Sequence, residues 1–162
     1  MKKYIIIIAL LIPILQSCGG LEPIPAEQKT LIKGTILFVD DKDNWPPQDS
    51  ILSLKVIAFK NYPPTDLIGD IINGLAYYTA DSLPLFQKSI QYQIEITDPP
   101  QTIEYLVVAY RYGTMFEWKA AGVYCLEGDP RKPLKIAVEK GTQYTASINV
   151  DFKHLPPQPG EW

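Results

Sequence analysis

Apolar and polar residues alternate along much of this chain, and that pattern restricts it to β-structure. The alternation is cleanest at residues 90–96, where Ile or Tyr occupies every second position between Gln and Glu. Further alternating runs cover residues 144–152, 32–38, 52–58 and, more briefly, 134–138. Successive side chains of a strand point to opposite faces, so each run predicts a strand with one buried face.

Two other segments, residues 103–112 and 118–125, are apolar at nearly every position and predict central strands. Pro-rich and Gly-containing turns separate the runs, and Pro cannot continue a central strand. The count is seven or eight strands. The sequence therefore predicts an all-β fold, an antiparallel β-sandwich. For residues 66–88, the pattern does not distinguish a strand from one or two helical turns.

The N-terminus resembles the signal peptide of a bacterial lipoprotein. Lys2 and Lys3 precede an apolar stretch at residues 5–15, which is shorter than the roughly 20 residues that span a bilayer. The stretch ends in Leu-Gln-Ser-Cys at residues 15–18, similar to a lipobox, although Gln16 departs from the usual small or β-branched residue. The resemblance implies a signal helix that is cleaved before Cys18 and a lipid on that sulfur. The alternative is that the chain is secreted without a lipid and that Cys18 has no special role.

The same resemblance implies a location and a division of the chain. Gly19 rather than Asp follows the cysteine, which implies an outer-membrane position facing the periplasm in a host with two membranes. The predicted partner is then the membrane, to which the lipid attaches the protein. The expected segments are a signal peptide at 1–17, the lipidated Cys and a flexible tether at 18–30, a β-sandwich domain at 31–153 and a Pro-rich tail at 154–162.

The domain itself resembles transthyretin-like or carboxypeptidase regulatory-like β-sandwiches. The similarity lies in Lys33-Gly34-Thr35-Ile36, in the alternating run at residues 54–59 and in a later element formed by Tyr105, Val107 and Ala109. It covers about residues 31–112, and generic Ig-like sandwiches share much of it. Such domains are usually accessory or binding modules of secreted and envelope proteins, which is what the resemblance implies here.

Composition argues against several classes of function. With 15 basic and 18 acidic residues, the chain has a net charge of −3 and no Lys/Arg cluster, so it lacks the footprint of nucleic-acid binding. His154 is its one histidine, and Cys125, at the end of an apolar run, is predicted to be buried. These residues cannot complete a zinc site, and neither a Gly-x-Ser-x-Gly motif nor a phosphate loop is present. We predict no enzyme and no cofactor, although two converging carboxylates would still allow a hydrolase.

One acidic loop is a weak candidate for calcium. Asp40, Asp41 and Asp43 supply alternating oxygen ligands, but Lys42 lies among them and the glycine and distal Glu of an EF-hand are missing. The alternative is a solvated turn.

Two aromatic residues in Pro-Pro loops, Trp45 and Tyr62, are candidate ligand or partner contacts. They could equally cap the ends of the core, where Trp118 is also expected. The sequence thus predicts a membrane-anchored, non-catalytic binding or interaction module for an envelope protein or glycan. The alternatives are a structural or assembly subunit of an envelope complex and, less favoured, a carboxylate-dependent hydrolase.

Overall fold

The structure, a computed structural model, describes residues 28–64, 66–158 and 161. The predicted signal peptide, Cys18 and most of the tether lie outside these residues. The strands are β1 (Leu31–Phe38), β2 (Ser53–Phe59), β3 (Ala76–Tyr78), β4 (Ser89–Glu95), β5 (Gln101–Ile103), β6 (Tyr105–Arg111), β7 (Trp118–Val123), β8 (Ile136–Val138), β9 (Gln143–Thr145) and β10 (Ile148–Val150). The helices are α1 (Leu67–Ile72) and three 3₁₀ turns at Asp41–Asn44, Gln48–Ser50 and Leu126–Gly128.

These strands form two main sheets. Sheet A has the order β10-β1-β4, with β9 also paired to β1, and sheet B has the order β3-β2-β6-β7. Strands β5 and β8 form a separate antiparallel pair. The predicted all-β sandwich is confirmed. The described residues contain ten strands rather than seven or eight, because several strands have only three residues and no readable alternation.

Pairing in sheet A is not wholly antiparallel. Strand β1 is antiparallel to β4, but it runs parallel to β9 and β10, so that Ile36 pairs with both Ile90 and Ile148. The first and last strands of the sandwich are therefore neighbours.

The main core lies between the two sheets. The alternation of β4 is confirmed, since Ile90, Tyr92 and Ile94 are buried and the residues between them are exposed. A second apolar cluster covers the outer face of sheet B, where α1 packs Leu67 against Ile57 and its neighbours. This second layer explains why β2 and β6 are apolar on both faces.

The two segments that were predicted to be central differ in their positions. Strand β6 lies between β2 and β7, as predicted, but β7 is the edge strand of sheet B. It is nevertheless buried from Ala120 to Val123, because β10 packs against it. The backbone approach is close at Gly122, where a Cβ atom would lie 2.4 Å from the carbonyl oxygen of Asn149.

The ambiguous stretch at residues 66–88 contains both alternatives, a helix and a strand. Asp66 caps α1, its carboxylate accepting hydrogen bonds from the amides of Ile68 and Gly69 at 3.1 and 3.0 Å. Three residues of β3 then add an edge strand to sheet B. In the described part of the chain, no helix has the length and apolar character needed to cross a membrane.

Candidate functional site

Trp45 lies in the core. Its ring is 9% exposed and packs against Phe38, Phe86 and Phe152 with centroid distances of 4.4, 5.1 and 4.9 Å. Its Nε1 donates to the carbonyl oxygen of Gln87 at 3.2 Å. Stacking on a ligand requires an exposed ring face, which Trp45 lacks, so its ring is not available as a ligand contact. It caps one end of the core.

Tyr62, the second loop aromatic, lies near the opposite end of the sandwich. It is half-buried and packs against Tyr105 with the ring centroids 5.3 Å apart. Burial, followed by the nearby Asp129 carboxylate, raises the pKa of its hydroxyl. The two aromatic residues therefore do not share a surface.

The structure describes the acidic loop as an exposed turn whose carboxylates are not grouped around a common point. Asp40, Asp41 and Asp43 are exposed, and the first two have left-handed backbones at φ 54° and 50°. Asp40 lies 4.0 Å from the Lys153 ammonium. Across the residues that the structure describes, no three His, Cys, Asp or Glu side chains are placed to hold a metal ion. The solvated-turn alternative fits this geometry.

His154 belongs to a polar clamp next to this loop. Its Nδ1 lies 2.8 Å from Asp151 Oδ2, while Asn44 Nδ2 donates to Asp151 Oδ1 at 2.9 Å. The amide of Lys153 donates to both Asn44 Oδ1 and Asp151 Oδ1. The hydrogen bonds from Asn44 and His154 hold the pKa of Asp151 at about 2. The clamp ties the first loop to the end of β10.

A concave aromatic site lies at the β6–β7 hairpin. We call it the aromatic cleft; its volume is about 400 Å³, and it is lined by Tyr112, Phe116, Trp118, Lys119, Asp66, Leu67, Gln158 and Glu161. Tyr112 is 39% exposed and Phe116 is 64% exposed. Trp118, expected in the core, is half-buried and packs against the second apolar cluster.

Local hydrogen bonds hold this hairpin in shape. The amide of Tyr112 donates to the Glu117 carbonyl at 3.2 Å, and Trp118 Nε1 donates to the Met115 carbonyl at 2.9 Å. Hydrogen bonding to Thr114 lowers the pKa of the Glu117 carboxyl. The Lys119 ammonium lies 4.7 Å from the centroid of the Tyr112 ring. A contact surface fixed in this way loses little conformational entropy on binding.

A larger groove runs between the edge strands β7 and β10. This edge groove has a volume of about 810 Å³. Ala121, Gly122, Val123 and Cys125 form one wall, Ser147, Asn149 and Asp151 the other, and Asp129, Arg131, His154, Pro156, Pro157 and Glu161 lie around it. Cys125, predicted to be buried, is half-buried here, and burial is the main cause of the raised pKa of its thiol.

The aromatic cleft and Leu31, the residue that follows the predicted tether, lie at opposite ends of the sandwich. The tether joins the domain at Leu31, the start of β1. Phe38, at the other end of β1, stacks on Phe152, and Phe152 contacts Tyr110 beside the hairpin. Eight residues of β1 span about 26 Å. A domain held at its N-terminal end therefore presents the cleft at its far end.

Comparison with known proteins does not assign a function to either the cleft or the groove. The chain matches no protein-family model, no curated protein and no solved structure.

Sequence reasoning missed the cleft because Tyr112 and Trp118 belong to the two apolar segments on either side of Phe116, and Trp118 was expected in the core. The Gly113-Thr114 pair, which separates the two segments, was a usable signal. A turn at this point places the aromatic residues on a hairpin tip rather than inside a strand.

Proposed function

We propose that this protein is a lipid-anchored, non-catalytic interaction module of the bacterial cell envelope, attached through Cys18 and facing the periplasm from the outer membrane. In this proposal the aromatic cleft holds a protein partner or a glycan. The observation that carries it is the exposed aromatic cleft at the end of the domain farthest from the tether.

The chemistry of the cleft supports a contact role. Tyr and Trp combine a large apolar surface with a polar group, and they dominate the energetics of many interfaces. Phe116 is mostly exposed although its neighbours form a fixed hairpin. Burying its ring against a ligand would remove apolar surface from water at little cost in ordering.

The strand order supports the transthyretin-like alternative for the domain over the Ig-like one. Constant-type Ig domains place their first, second, fifth and fourth strands together in one sheet. Here β1 and β2 lie in different sheets, and β1 pairs with the last strands. We therefore retain the transthyretin-like or carboxypeptidase regulatory-like interpretation, whose implied role as an accessory module agrees with this proposal.

The acids of the edge groove support a non-catalytic role. A hydrolase that uses two carboxylates needs one of them protonated, with a raised pKa. Hydrogen bonds lower the pKa of both Asp129 and Asp151. The His154 ring, among the residues described, is hydrogen-bonded to Asp151 and to no hydroxyl or thiol nucleophile.

The proposal is tested by capturing partners with the full-length lipidated protein. The protein would be purified from mildly cross-linked native membranes and its partners identified by mass spectrometry, in parallel with binding to a panel of cell-wall and surface glycans. We expect Phe116→Ala to lose the ligand that the wild type captures. The matched control is Ile72→Ala, which removes a 73% exposed side chain from α1. Equal recovery by both variants would contradict a role for the cleft.

The second candidate function is a structural or assembly subunit of an envelope complex. The edge strands of sheet A favour it. Within the described residues, β4 and β10 each have a hydrogen-bonded neighbour on one side only, and an open strand edge is a template for pairing with another chain. A partner recovered in fixed stoichiometry with the wild type and with Phe116→Ala would favour this alternative.

A further inference from the structure

The turn between α1 and β3 presents two apolar side chains to solvent. Ile72, the last residue of α1, is 73% exposed, and Leu75 is 39% exposed. We call residues 72–75 the apolar turn. We propose that it is a membrane-docking surface, whose two side chains enter the interface of the bilayer to which the Cys18 lipid attaches the protein. This inference rests on the proposed lipid anchor, but it names a surface other than the aromatic cleft.

The backbone of the apolar turn leaves Leu75 partly in water. The Gly74 amide donates to the Ile71 carbonyl at 3.1 Å and the Leu75 amide to the Asp70 carbonyl at 2.8 Å, which is the Schellman pattern that ends many helices. In that pattern, the residue at the position of Leu75 frequently packs on an apolar side chain in the last turn of the helix. Here the corresponding positions hold Asp70 and Gly69, so the turn offers Leu75 no such cover.

The apolar turn is fixed to the sheet behind it. The Lys60 amide donates to the Leu75 carbonyl at 2.9 Å, and the next residue, Ala76, pairs with Phe59 in sheet B. The φ of Gly74 is 71°, a conformation that glycine adopts without strain. An apolar tip that is already ordered loses little conformational entropy when it enters a lipid interface.

The apolar turn lies at the end of the sandwich where the predicted tether joins the domain. The Thr30 carbonyl accepts from the Ile96 amide at 2.9 Å. Beyond Ile96, the Asp98 carboxylate pairs at 3.1 Å with the ammonium of Lys60, the residue whose amide holds the turn. Residues 18–30 span at most about 45 Å when fully extended. A lipid on the first of them would therefore keep this end of the domain close to the bilayer.

Two side chains are enough for docking because the lipid already holds the protein at the membrane. The second contact of a tethered molecule is an intramolecular event, with an effective concentration far above that of free protein. The apolar turn would therefore orient the domain rather than recruit it. In that orientation the aromatic cleft, at the other end of the sandwich, faces away from the bilayer.

The charges at this end leave the contact to apolar side chains. Asp70, the carboxylate within α1, is buried and accepts from Asn61 Nδ2 at 3.4 Å. Among the described residues, the basic side chains in the loops and strand ends here are matched by acidic ones. The ion pairs are Lys29–Glu95, Lys60–Asp98, Lys132–Asp129 and Lys135–Glu104, and Arg131 and Lys140 are balanced by Glu127 and Glu139. Docking should therefore depend on neither anionic lipid nor salt.

The test places a fluorophore at each end of the domain. It uses the full-length lipidated protein with Cys125→Ala, so that an introduced cysteine is the thiol open to labelling, in vesicles of phosphatidylcholine that contain spin-labelled lipid as a quencher. The labelled variants are Asn73→Cys, in the apolar turn, and Thr114→Cys, at the β6–β7 hairpin. We expect quenching at position 73 to exceed quenching at position 114 by at least about threefold, because the apolar turn enters the interface.

Two variants of Ile72 separate apolar docking from mere proximity to the membrane. Ile72→Gln keeps a good helix former but removes the apolar surface, and it should lower quenching at position 73 by at least about threefold. Ile72→Leu keeps the apolar surface and should behave as the wild type, as should Phe116→Ala in the cleft. Urea unfolding verifies that each variant remains folded. Vesicles of phosphatidylethanolamine and phosphatidylglycerol should give the same quenching as phosphatidylcholine.

The outcomes distinguish this inference from the proposed function. Mass spectrometry of the intact chain shows whether Cys18 carries the lipid, and without the lipid both the anchor and the docking surface are wrong. With the lipid present, three results would overturn the docking surface alone. They are equal quenching at the two positions, quenching that Ile72→Gln does not change, and quenching that requires anionic lipid and is lost in high salt. The last result would assign the contact to charged side chains.

Discussion

The carbonyl oxygen of Ala146 lies 1.8 Å from the position that a Cβ atom would occupy at Gly34. The hydroxyl of Tyr92 donates a hydrogen bond to the same oxygen at 2.6 Å, in a buried setting. The segment between β9 and β10 therefore approaches β1 closely at Gly34, and Ala146 lies in this segment. The glycine is required there because any side chain would occupy the space of the Ala146 backbone.

Replacing this glycine should destabilise the domain. We expect Gly34→Ala to lower the free energy of unfolding by about 3 kcal/mol, because the new methyl group must displace the Ala146 backbone and its bond to Tyr92. Urea unfolding followed by circular dichroism measures this change. Gly74→Ala is the control: its φ is 71° but nothing lies within 4 Å of the added Cβ, so about 1 kcal/mol is expected. Equal costs would show that the Ala146 backbone moves aside freely.

Trp45 should affect stability and leave ligand capture unchanged. Trp45→Phe removes the bond to the Gln87 carbonyl and part of a buried ring, so we expect a loss of about 2 kcal/mol in unfolding free energy. The folded variant should still capture the wild-type ligands, whereas Phe116→Ala should show the opposite pattern. Thermal unfolding and the capture experiment, performed on both variants, test this pair of expectations. A loss of capture by folded Trp45→Phe would return Trp45 to the binding surface.

Asp151 should make stability depend on pH in the acidic range. Its folded-state pKa of about 2 is below the ordinary value, so its contribution is present above about pH 4 and is lost as the pH falls toward 2. Asp151→Asn should therefore be less stable than the wild type at pH 7, by up to about 1 kcal/mol because the carboxylate is partly exposed. The difference should shrink by pH 2.5.

Urea unfolding at pH 7, 4 and 2.5 measures this difference. Asp49→Asn is the control, since that carboxylate is exposed and, among the described residues, accepts its hydrogen bond from the hydroxyl of neighbouring Ser50. A wild-type advantage over Asp151→Asn that is constant from pH 7 to 2.5 would contradict the role assigned to the clamp.

Gln158 should protect the edge of β7. In Gln158→Leu the Ala120 amide and carbonyl lose their partner, and we expect exchange of the Ala120 amide to accelerate by about tenfold. Gln91→Leu is the control, because its side chain bonds the Thr35 hydroxyl on the exposed face of sheet A. Unchanged exchange at Ala120 in Gln158→Leu would mean that the tail does not cover this edge.

Local patterns predicted the strands that have one buried face. The alternation at residues 90–96 corresponds to β4, and the run at 144–152 contains β10 and the last two residues of β9. The break between β9 and β10 could not be predicted, because it arises where Ala146 meets Gly34, more than a hundred residues earlier. Such a contact leaves no periodic signal.

The candidate site was harder to predict, for the same reason. Trp45 stands beside two prolines, which suggested an exposed loop, yet Phe86 and Phe152 arrive from distant segments to cover it. Trp118 begins an apolar run, which suggested a core, yet it lines the aromatic cleft beside Phe116 at a hairpin turn. Exposure of an aromatic residue depends on which other segments pack over it, and a single sequence does not record that.

The parallel pairing of β1 with β10 also constrains the order in which the domain can be built. Ile36 reaches its partner Ile148 only after the intervening chain has been supplied, and contacts between distant segments form slowly. A chain that crosses a membrane with its N-terminus first would present β1 early and β10 late. Sheet A would then stay incomplete until most of the protein had crossed, which keeps the chain in the extended form that threading requires.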